Sequence, residues 1–515
     1  MVPLPWLFCF SFSYHLLPLL FLVRHLSLPV SAFEDYRLSD FPADFVFGSG
    51  SSAYQVEGAA FEDGRTPSIW DTFTHAGRMK GANGDIACDQ YHKKMSDSWQ
   101  IWAWRLIDSP FPDGRGPVNP KGLQYYNNLI NEIISHGIQP HVTLYHYDLP
   151  QALEDEYGGL LNRKFVKDFT GFADVCFKEF GDRVLHWTSF NEANVMTWGG
   201  YDLEFCPPGR CSLPFRTDCI RGNSSTEPYI VAHNVLLAHA SAVKLYRKKY
   251  KASQHGYVGL NVFIYWFIPY TNEEKDVIAT QRANEFYIGW FIDPLIFGDY
   301  PAIMKKNAGD RIPAFTKQES EQVKGSLDFL GVNHYTTVYI KDDSRSLNIN
   351  VSSATADIEV KLIFDRGDAP VGQFPLRPAG LYGVLEYLNQ VYGNPPIYVH
   401  ENGQSMPRNG TLNDTARVEY LHAFIGSLLD AVRNGSNTRG YFTWSFLDSF
   451  ELLDGYDSGF GLYYVDLDDK ELTRYPKKSA HWYSNFLKGR RTSTNESIEV
   501  EEVISTSFFN SRFSY

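Results

Sequence analysis

Short apolar runs alternate with longer stretches of helical periodicity along most of this 515-residue chain. The runs are rich in Val, Ile, Phe and Tyr, which favour strands, whereas the stretches between them repeat apolar residues three and four positions apart. The candidate strands are Phe45–Phe47, Pro140–His146, Leu185–Phe190, Tyr257–Trp266, Leu327–His334, Ile397–His400 and Gly440–Ser445. The candidate helices include Leu123–Ser135 and Thr415–Asn434. This alternation predicts an α/β fold with a parallel sheet, either open or closed into a (β/α)8 TIM barrel.

Four of the candidate strands end in dense polar or aromatic sets. These sets are Tyr145–Asp148, Asn191–Glu192, Asn333–Tyr335 and His400–Asn402. In a closed parallel barrel the active site lies at the carboxyl ends of the strands. We therefore expect the functional residues among these four sets.

Two of the sets each contain one glutamate at the end of an apolar run. Glu192 follows Trp187–Asn191, and Glu401 follows Ile397–His400. Glutamate is rarely buried without a role, although each of these residues could instead begin and cap a helix. Cleavage of a glycosidic bond needs two carboxyl groups on opposite sides of the anomeric carbon, and burial and neighbouring charges adjust their pKa values. Glu192 and Glu401 are therefore the candidate catalytic pair.

The composition agrees with a large globular domain. Hydrophobic residues make up 43% of the chain, and one barrel with insertions fills this length. Aromatic residues reach 16%, which suits a pocket that stacks on sugar rings but also suits a large aromatic core. The net charge of −13 argues against nucleic acid or an anionic membrane as a partner. No paired CxxC or clustered histidine predicts a metal, and no cofactor is implied.

Residues 1–32 are predicted to be a signal peptide. Leu16–Val23 is apolar, and Val30–Ala32 resembles a small-residue cleavage site before Phe33. A short membrane anchor is the alternative, but no later segment approaches the roughly 20 apolar residues of a membrane span, so we expect no stable membrane insertion. The barrel is predicted over residues 33–488, followed by a flexible tail at 489–515 that is rich in Ser, Thr and Glu.

Several features favour the secretory pathway, with an extracellular or vacuolar destination. Six glycosylation sequons occur, at Asn223, Asn350, Asn409, Asn413, Asn434 and Asn495. Cys211 and Cys219 lie eight residues apart in a loop rich in Pro, Gly and Ser, which favours a disulfide between them, with Cys206 as a competing partner.

The residues around the two glutamates resemble glycoside hydrolase family 1, and within it the plant β-glucosidases. The family's T-[FLIV]-N-E-P motif appears as Ser189–Ala193, with Ser for Thr and Ala for Pro, and its T-E-N-G motif appears as His400–Gly403. The resemblance covers about residues 33 to 488. It implies a retaining mechanism in which Glu192 is the acid/base and Glu401 the nucleophile.

The resemblance also implies a sugar-binding pocket. The matching residues are Gln55, His146, Asn191, Tyr335, Trp444, Glu451 and Phe460. Taken singly, Trp444 on a strand would be a core residue, and Gln55 and Glu451 on loops would be solvated; only the joint match favours a pocket. The chain departs from the family at Leu452, where Trp is common, and the loss of that indole N–H would loosen the selection of the hexose.

The resemblance stops after His92 and returns near Pro112. The family has a helix here and then a second barrel strand that reads roughly Y-R-F-S-I-S-W-S-R, in which the Arg steadies the nucleophile. Plausible codons for Lys94–Phe111, read in the neighbouring frame, give E-D-V-R-L-M-A-D-M-G-L-E-A-Y-R-F-S-I-S, so we infer a frame-shifted segment. The second barrel strand is therefore expected to be missing or replaced, and Arg105 is not the matching arginine.

The resemblance implies hydrolysis of terminal β-D-glucosides through a glucosyl-enzyme intermediate, with a small-molecule β-glucoside or an oligosaccharide as partner. Two alternatives remain open. The altered segment would favour a catalytically impaired glycan-binding protein, and a transglucosidase would share the same intermediate. A myrosinase is disfavoured because those relatives have Gln at the position of Glu192.

Overall fold

A computed structural model describes residues 35–93, 100–102, 118–212, 219–344, 352–409 and 411–490. The strands in this part of the chain are β1 (Val46–Gly50), β2 (Gln100–Trp102), β3 (His141–Thr143), β4 (His186–Thr188), β5 (Tyr257–Phe263), β6 (Trp266–Pro269), β7 (Leu330–Asn333), β8 (Thr337–Asp342), β9 (Val360–Ile363), β10 (Ile397–Asn402), β11 (Met406–Pro407), β12 (Thr438–Trp444), β13 (Ser458–Gly459), β14 (Tyr463–Val465) and β15 (Arg474–Pro476). Each of the seven predicted strands overlaps at least one of them. The predicted signal peptide and nearly all of the predicted tail lie outside the described residues.

Eight of these strands form one sheet in the order β1-β12-β10-β7-β5-β4-β3-β2, and every neighbouring pair is parallel. The sheet curls until Cα atoms of its two edge strands, β1 and β2, come within 8 Å of each other. This arrangement is the predicted (β/α)8 barrel. Because all strands run the same way, their carboxyl ends meet at one face of the molecule.

Helices connect the strands on the outside of the sheet. The α-helices are Ala53–Val56, Ile69–His75, Pro120–Ser135, Gln151–Tyr157, Lys164–Phe180, Ala193–Tyr201, Glu227–Lys249, Lys251–Gln254, Glu274–Asn284, Trp290–Phe297, Ala302–Ala308, Lys317–Val323, Ala379–Tyr392, Thr415–Arg433 and Lys478–Leu487, with a π-helical turn at Glu285–Gly289. The helix at Lys164–Phe180 shows why they pack. It buries Phe165, Phe169, Phe172 and Phe180, spaced four, three and eight residues apart, on one face. Each buried ring contributes roughly 1.5–3 kcal/mol.

The second barrel strand is replaced, as the sequence predicted. The segment Gln100–Trp102 occupies its place and pairs with β3 over three residues, from Gln100 opposite His141 to Trp102 opposite Thr143. Within the described residues, β1 and β2 share no backbone pairing, so the barrel is open along this seam. Arg105 lies outside the described residues.

The predicted disulfide is confirmed. Cys211 and Cys219 are bonded, with their Cα atoms 5.4 Å apart, while Cys206 is a buried free thiol. Of the six sequon asparagines, Asn350 and Asn495 lie outside the described residues. The other four are exposed to solvent: Asn223, Asn409, Asn413 and Asn434.

Candidate active site

Two asparagine side chains connect the glutamates at the carboxyl end of the barrel. The Nδ2 atom of Asn333, at the end of β7, donates to Oε1 of Glu192 over 2.9 Å and to Oδ1 of Asn191 over 3.2 Å. Asn191 in turn donates from Nδ2 to Oε1 of Glu401 over 3.1 Å. Residues from β4, β7 and β10 thus form one network, and both predicted carboxylates belong to it.

Neither glutamate serves as a helix cap. Glu192 immediately precedes the helix Ala193–Tyr201, but its side chain makes no capping hydrogen bond. Instead Oε2 accepts a hydrogen bond of 2.7 Å from the hydroxyl of Tyr147. Glu401 lies within β10 and is buried, and its Oε2 accepts a hydrogen bond of 2.8 Å from the hydroxyl of Tyr335. The contacts of both side chains therefore exclude the alternative that each glutamate only caps a helix.

Burial dominates the electrostatics of the pair. Desolvation raises the pKa of Glu192, while hydrogen bonds from Tyr147 and Asn333 oppose the rise. The pKa of Glu401 is raised well above its usual range, first by burial and then by the charge of Glu192. Because two carboxylates in one desolvated site resist ionising together, the pair favours a state that holds one proton.

A second polar group lies around the predicted sugar-binding residues Gln55 and Glu451. Nε2 of Gln55 donates to the carbonyl oxygen of Phe450 over 2.6 Å and reaches Oε2 of Glu451 at 3.4 Å. Both residues are buried, at 1% and 6% exposure, so the alternative that they are solvated loop residues is wrong. Burial, assisted by the charge of Asp448, raises the pKa of Glu451 to about 8. At neutral pH Glu451 is therefore mostly protonated and able to donate a hydrogen bond.

Trp444 and His146 connect this group with the catalytic pair. Trp444 ends β12, and its ring lies 6.4 Å from the ring of His146. His146 contacts Nδ2 of Asn191 through Nε2 at 3.1 Å. Burial lowers the pKa of His146 to about 3, so this imidazole is neutral and serves as a hydrogen-bonding group rather than a cation.

Phe460, the last of the predicted sugar-binding residues, packs against Tyr335. The ring of Phe460 lies 5.9 Å from that of Tyr335, edge to face. Gly403 lets β10 and β12 converge here, because a Cβ atom at this position would lie 1.8 Å from the carbonyl oxygen of Trp444. The N-G pair that follows Glu401 therefore has a steric reason.

Three residues of the network were given no role from the sequence. Tyr147 and Asn333 stood in the polar sets at strand ends, but nothing marked them as partners of Glu192. Asn261 lies inside an apolar strand, where its Nδ2 donates to Oδ1 of Asn333 over 2.7 Å and its Oδ1 accepts from the backbone N–H of Glu192 over 3.2 Å. An asparagine in an otherwise apolar barrel strand was the available signal, because a buried amide needs partners.

Comparison with known proteins agrees with this geometry. Residues 38–492 match the sequence model of glycosyl hydrolase family 1. The chain belongs to this family. It is 54% identical over 486 residues to Beta-glucosidase 11 of Arabidopsis thaliana, and the match covers 88% of this chain and 93% of the relative. It is 52% identical over 476 residues to a cyanidin 3-O-glucoside 7-O-glucosyltransferase (acyl-glucose) of Delphinium grandiflorum, covering 89% and 92% of the two chains.

The solved structures show the same likeness. A mutant of a rice β-glucosidase, in a covalent complex with glucose, superimposes with a TM-score of 0.83 at 42% identity and covers 87% of this chain and 99% of its own. The resemblance inferred from the two glutamate motifs is therefore confirmed, and the barrel is the family's fold.

Proposed function

We propose that this chain is a retaining β-glucosidase that releases terminal β-D-glucose from small glucosides or oligosaccharides. The observation that carries the proposal is the network in which Asn191 and Asn333 join Glu192 and Glu401 at the carboxyl end of the barrel. The covalent glucose complex of the rice relative supports the same two-step chemistry.

In the first step the carboxylate of Glu401 attacks the anomeric carbon and the bond to the aglycone oxygen breaks. Glu192 gives its proton to that oxygen, so the aglycone leaves as a neutral alcohol and glucose remains as an ester on Glu401. In the second step the ionised Glu192 takes a proton from water. The resulting hydroxide attacks the anomeric carbon, and Glu401 leaves as a carboxylate.

The neighbouring side chains hold the sugar and the nucleophile. Gln55 and Glu451 are placed to bind the outer hydroxyls, and His146 and Asn191 those nearest the cleaved bond. Trp444 forms the floor of the pocket and Phe460 its side, while Tyr335 orients the nucleophile through its hydrogen bond to Glu401.

The assignment is tested with a series of aryl β-glucosides whose leaving groups differ in pKa. Glu401→Ala should abolish turnover of every member. Glu192→Ala should spare the best leaving groups and lose most activity on the poorest, by about 10²–10⁴-fold, because only poor leaving groups need protonation. Glu419→Ala, an exposed glutamate on the helix Thr415–Arg433, is the control. Equal losses across the series in Glu192→Ala would contradict its role as the acid.

Product analysis separates hydrolysis from glucosyl transfer. The relative from Delphinium grandiflorum is named as a glucosyltransferase that uses acyl-glucose, and it is nearly as similar to this chain as the β-glucosidase relative. Hydrolysis predicts free glucose in the same yield with or without an added phenolic acceptor. A glucosylated acceptor as the main product would favour the transferase, and binding of glucosides without any turnover would favour the glycan-binding form.

We also propose that the protein enters the secretory pathway. A disulfide and exposed sequon asparagines suit an oxidising, glycosylating compartment. None of the helices among the described residues is both long and apolar enough to cross a membrane. Expression in plant cells, followed by N-terminal sequencing and glycosidase treatment, tests the proposal. We expect a mature chain that begins at Phe33 and a mass that falls when N-glycans are removed.

A further inference from the structure

Tyr147 occupies an unusual position beside the proposed acid/base. It lies next to His146 in the segment that follows β3, and its exposure is 2%. Its hydroxyl donates to Oε2 of Glu192 over 2.7 Å and lies 3.4 Å from the carbonyl oxygen of the same residue. One phenol thus contacts both the side chain and the backbone of Glu192.

Both partners have strained backbones. Tyr147 has a φ of 61° and Glu192 a φ of 40°, in the left-handed region that side chains other than glycine rarely adopt. Such conformations persist only where the surroundings enforce them, and they cluster at functional sites. Here the two strained residues follow the consecutive strands β3 and β4, and their side chains contact each other.

The backbone around the pair fixes this approach. The N–H of Leu144 donates to the carbonyl oxygen of Thr188 over 2.7 Å, and the N–H of Asn191 donates to that of Tyr145 over 2.9 Å. These bonds extend the pairing of β3 and β4 up to the two strained residues. The hydroxyl of Tyr147 is therefore held against Glu192 by the sheet itself.

We propose that Tyr147 is a positioning residue for the acid/base, and that its hydroxyl holds the Glu192 carboxyl in the line of proton transfer and favours its ionised form. This inference rests on the proposed function, because it assigns Tyr147 to the acid/base of that reaction. A hydrogen bond to a carboxylate oxygen stabilises the charged form. The hydroxyl therefore helps Glu192 to release its proton in the first step, and it keeps Glu192 ionised so that it can take a proton from water in the second.

The surroundings of Glu192 leave this task to a hydrogen bond. The titratable groups that interact with it in the described part of the chain are neutral or acidic: Tyr147, Tyr265, Tyr335, Cys206 and Glu401. None of them is a cation. Burial raises the pKa of Glu192, and the hydrogen bonds from Tyr147 and Asn333 are what oppose it.

The test is the full chain with Tyr147→Phe, which removes only the hydroxyl. The matched control is Tyr392→Phe. Tyr392 is also buried and also donates to a carboxylate, Oδ1 of Asp293 over 2.9 Å, but on the outer helices. Both variants lose one tyrosine–carboxylate bond, so a purely structural effect should appear equally in their melting temperatures.

Infrared titration of the protonated carboxyl band reads the pKa of Glu192 directly, with Glu192→Gln used to assign the band. We expect Tyr147→Phe to raise the midpoint by about one pH unit, because a hydrogen bond to a charged group is lost. Tyr392→Phe should leave this band in place. An unchanged midpoint in Tyr147→Phe would overturn the proposal, even if the variant melts at a lower temperature.

Kinetics supply the second readout. The basic limb of the pH profile of kcat/KM should move upwards with the midpoint in Tyr147→Phe. For a substrate with an excellent leaving group, kcat and KM should fall together at low pH, because Glu192 is then protonated when it must act as a base and the glucosyl-enzyme accumulates. Unmoved limbs would overturn the proposal. If the parent chain hydrolyses no β-glucoside, the proposed function fails, while the infrared titration still decides the link between Tyr147 and Glu192.

Discussion

Replacing Glu451 by glutamine should remove a large pH dependence from the stability of the barrel. Glu451 is buried beside Gln55, and its pKa is raised from 4.5 to about 8, mainly by desolvation. In the unfolded chain the same carboxyl ionises near its ordinary pKa. The folded state therefore keeps a proton that the unfolded state releases, and the free energy of unfolding falls as pH rises between these two values.

The size of the effect follows from the two pKa values. A difference of about 3.5 in pKa, at about 1.36 kcal/mol each, amounts to roughly 5 kcal/mol, most of it lost between pH 5 and pH 8. Below the unfolded pKa both states are protonated and the contribution is complete. An unfolding entropy of about 2 cal/mol/K per residue over about 450 residues converts roughly 5 kcal/mol into about 5 °C of melting temperature.

The assay is a melting series from pH 5 to pH 8 at one scan rate. Glu451→Gln keeps the shape of the side chain but carries no titratable proton. The melting temperature of the variant minus that of the parent should therefore rise with pH by about 5 °C. Glu419→Gln, which changes an exposed glutamate, should run parallel to the parent. Parallel curves for Glu451→Gln as well would show that Glu451 titrates alike in both states and would refute the reasoning.

Three further outcomes are expected. By X-ray crystallography the carboxyl carbons of Glu192 and Glu401 should lie about 5 Å apart, as retaining enzymes require, and a separation above about 10 Å would contradict the catalytic pair. Cys211 and Cys219 should resist alkylation unless the folded protein is first reduced, and labelling of both without reductant would exclude the bond in solution. Restoring the family's helix and strand between His92 and Pro112 should raise both the melting temperature and glucoside turnover, and equal values for the two versions would make the altered segment a tolerated variant.

The apolar runs predicted the parallel sheet because burial on both faces of a parallel strand leaves a clear signal, whereas its closure into a barrel was implied by the family resemblance. They did not predict where the chain leaves the sheet. The candidate strand Tyr257–Trp266 is two strands, since β5 ends at Phe263 and Trp266 begins β6, which pairs with β8 in a separate sheet with β9. The N–H of Ile264 donates to the carbonyl oxygen of Asn333 at this point. A contact between residues so far apart in sequence has no local signature.

The candidate site shows the same division. Strand-end position located Glu192 and Glu401, and the family resemblance supplied most of their neighbours. It did not predict that Tyr147 contacts Glu192, because this contact depends on left-handed backbones in two loops that meet only in the folded barrel. Turns without glycine carry little signal for such conformations, so only the structure brings these residues together.

The altered segment bears on the chemistry of the site more than on recognition of the sugar. Gln55, Trp444 and Glu451, which we propose bind the sugar, are buried in the structure. Among the described residues, however, the side chains that donate hydrogen bonds to the Glu401 carboxylate are the neutral groups Asn191, Asn333 and Tyr335, and the pKa of Glu401 is raised well above its usual range.

A nucleophile must be ionised, and a nearby positive charge lowers the cost of ionising a buried carboxylate next to a second carboxyl group. In the family that this chain belongs to, the second barrel strand carries an arginine that steadies the nucleophile, and here Gln100–Trp102 stands in that strand's place. Repair of the segment should therefore change kcat far more than KM, because the restored arginine would act on the ionisation of Glu401, whereas the residues that we propose bind glucose lie on other elements.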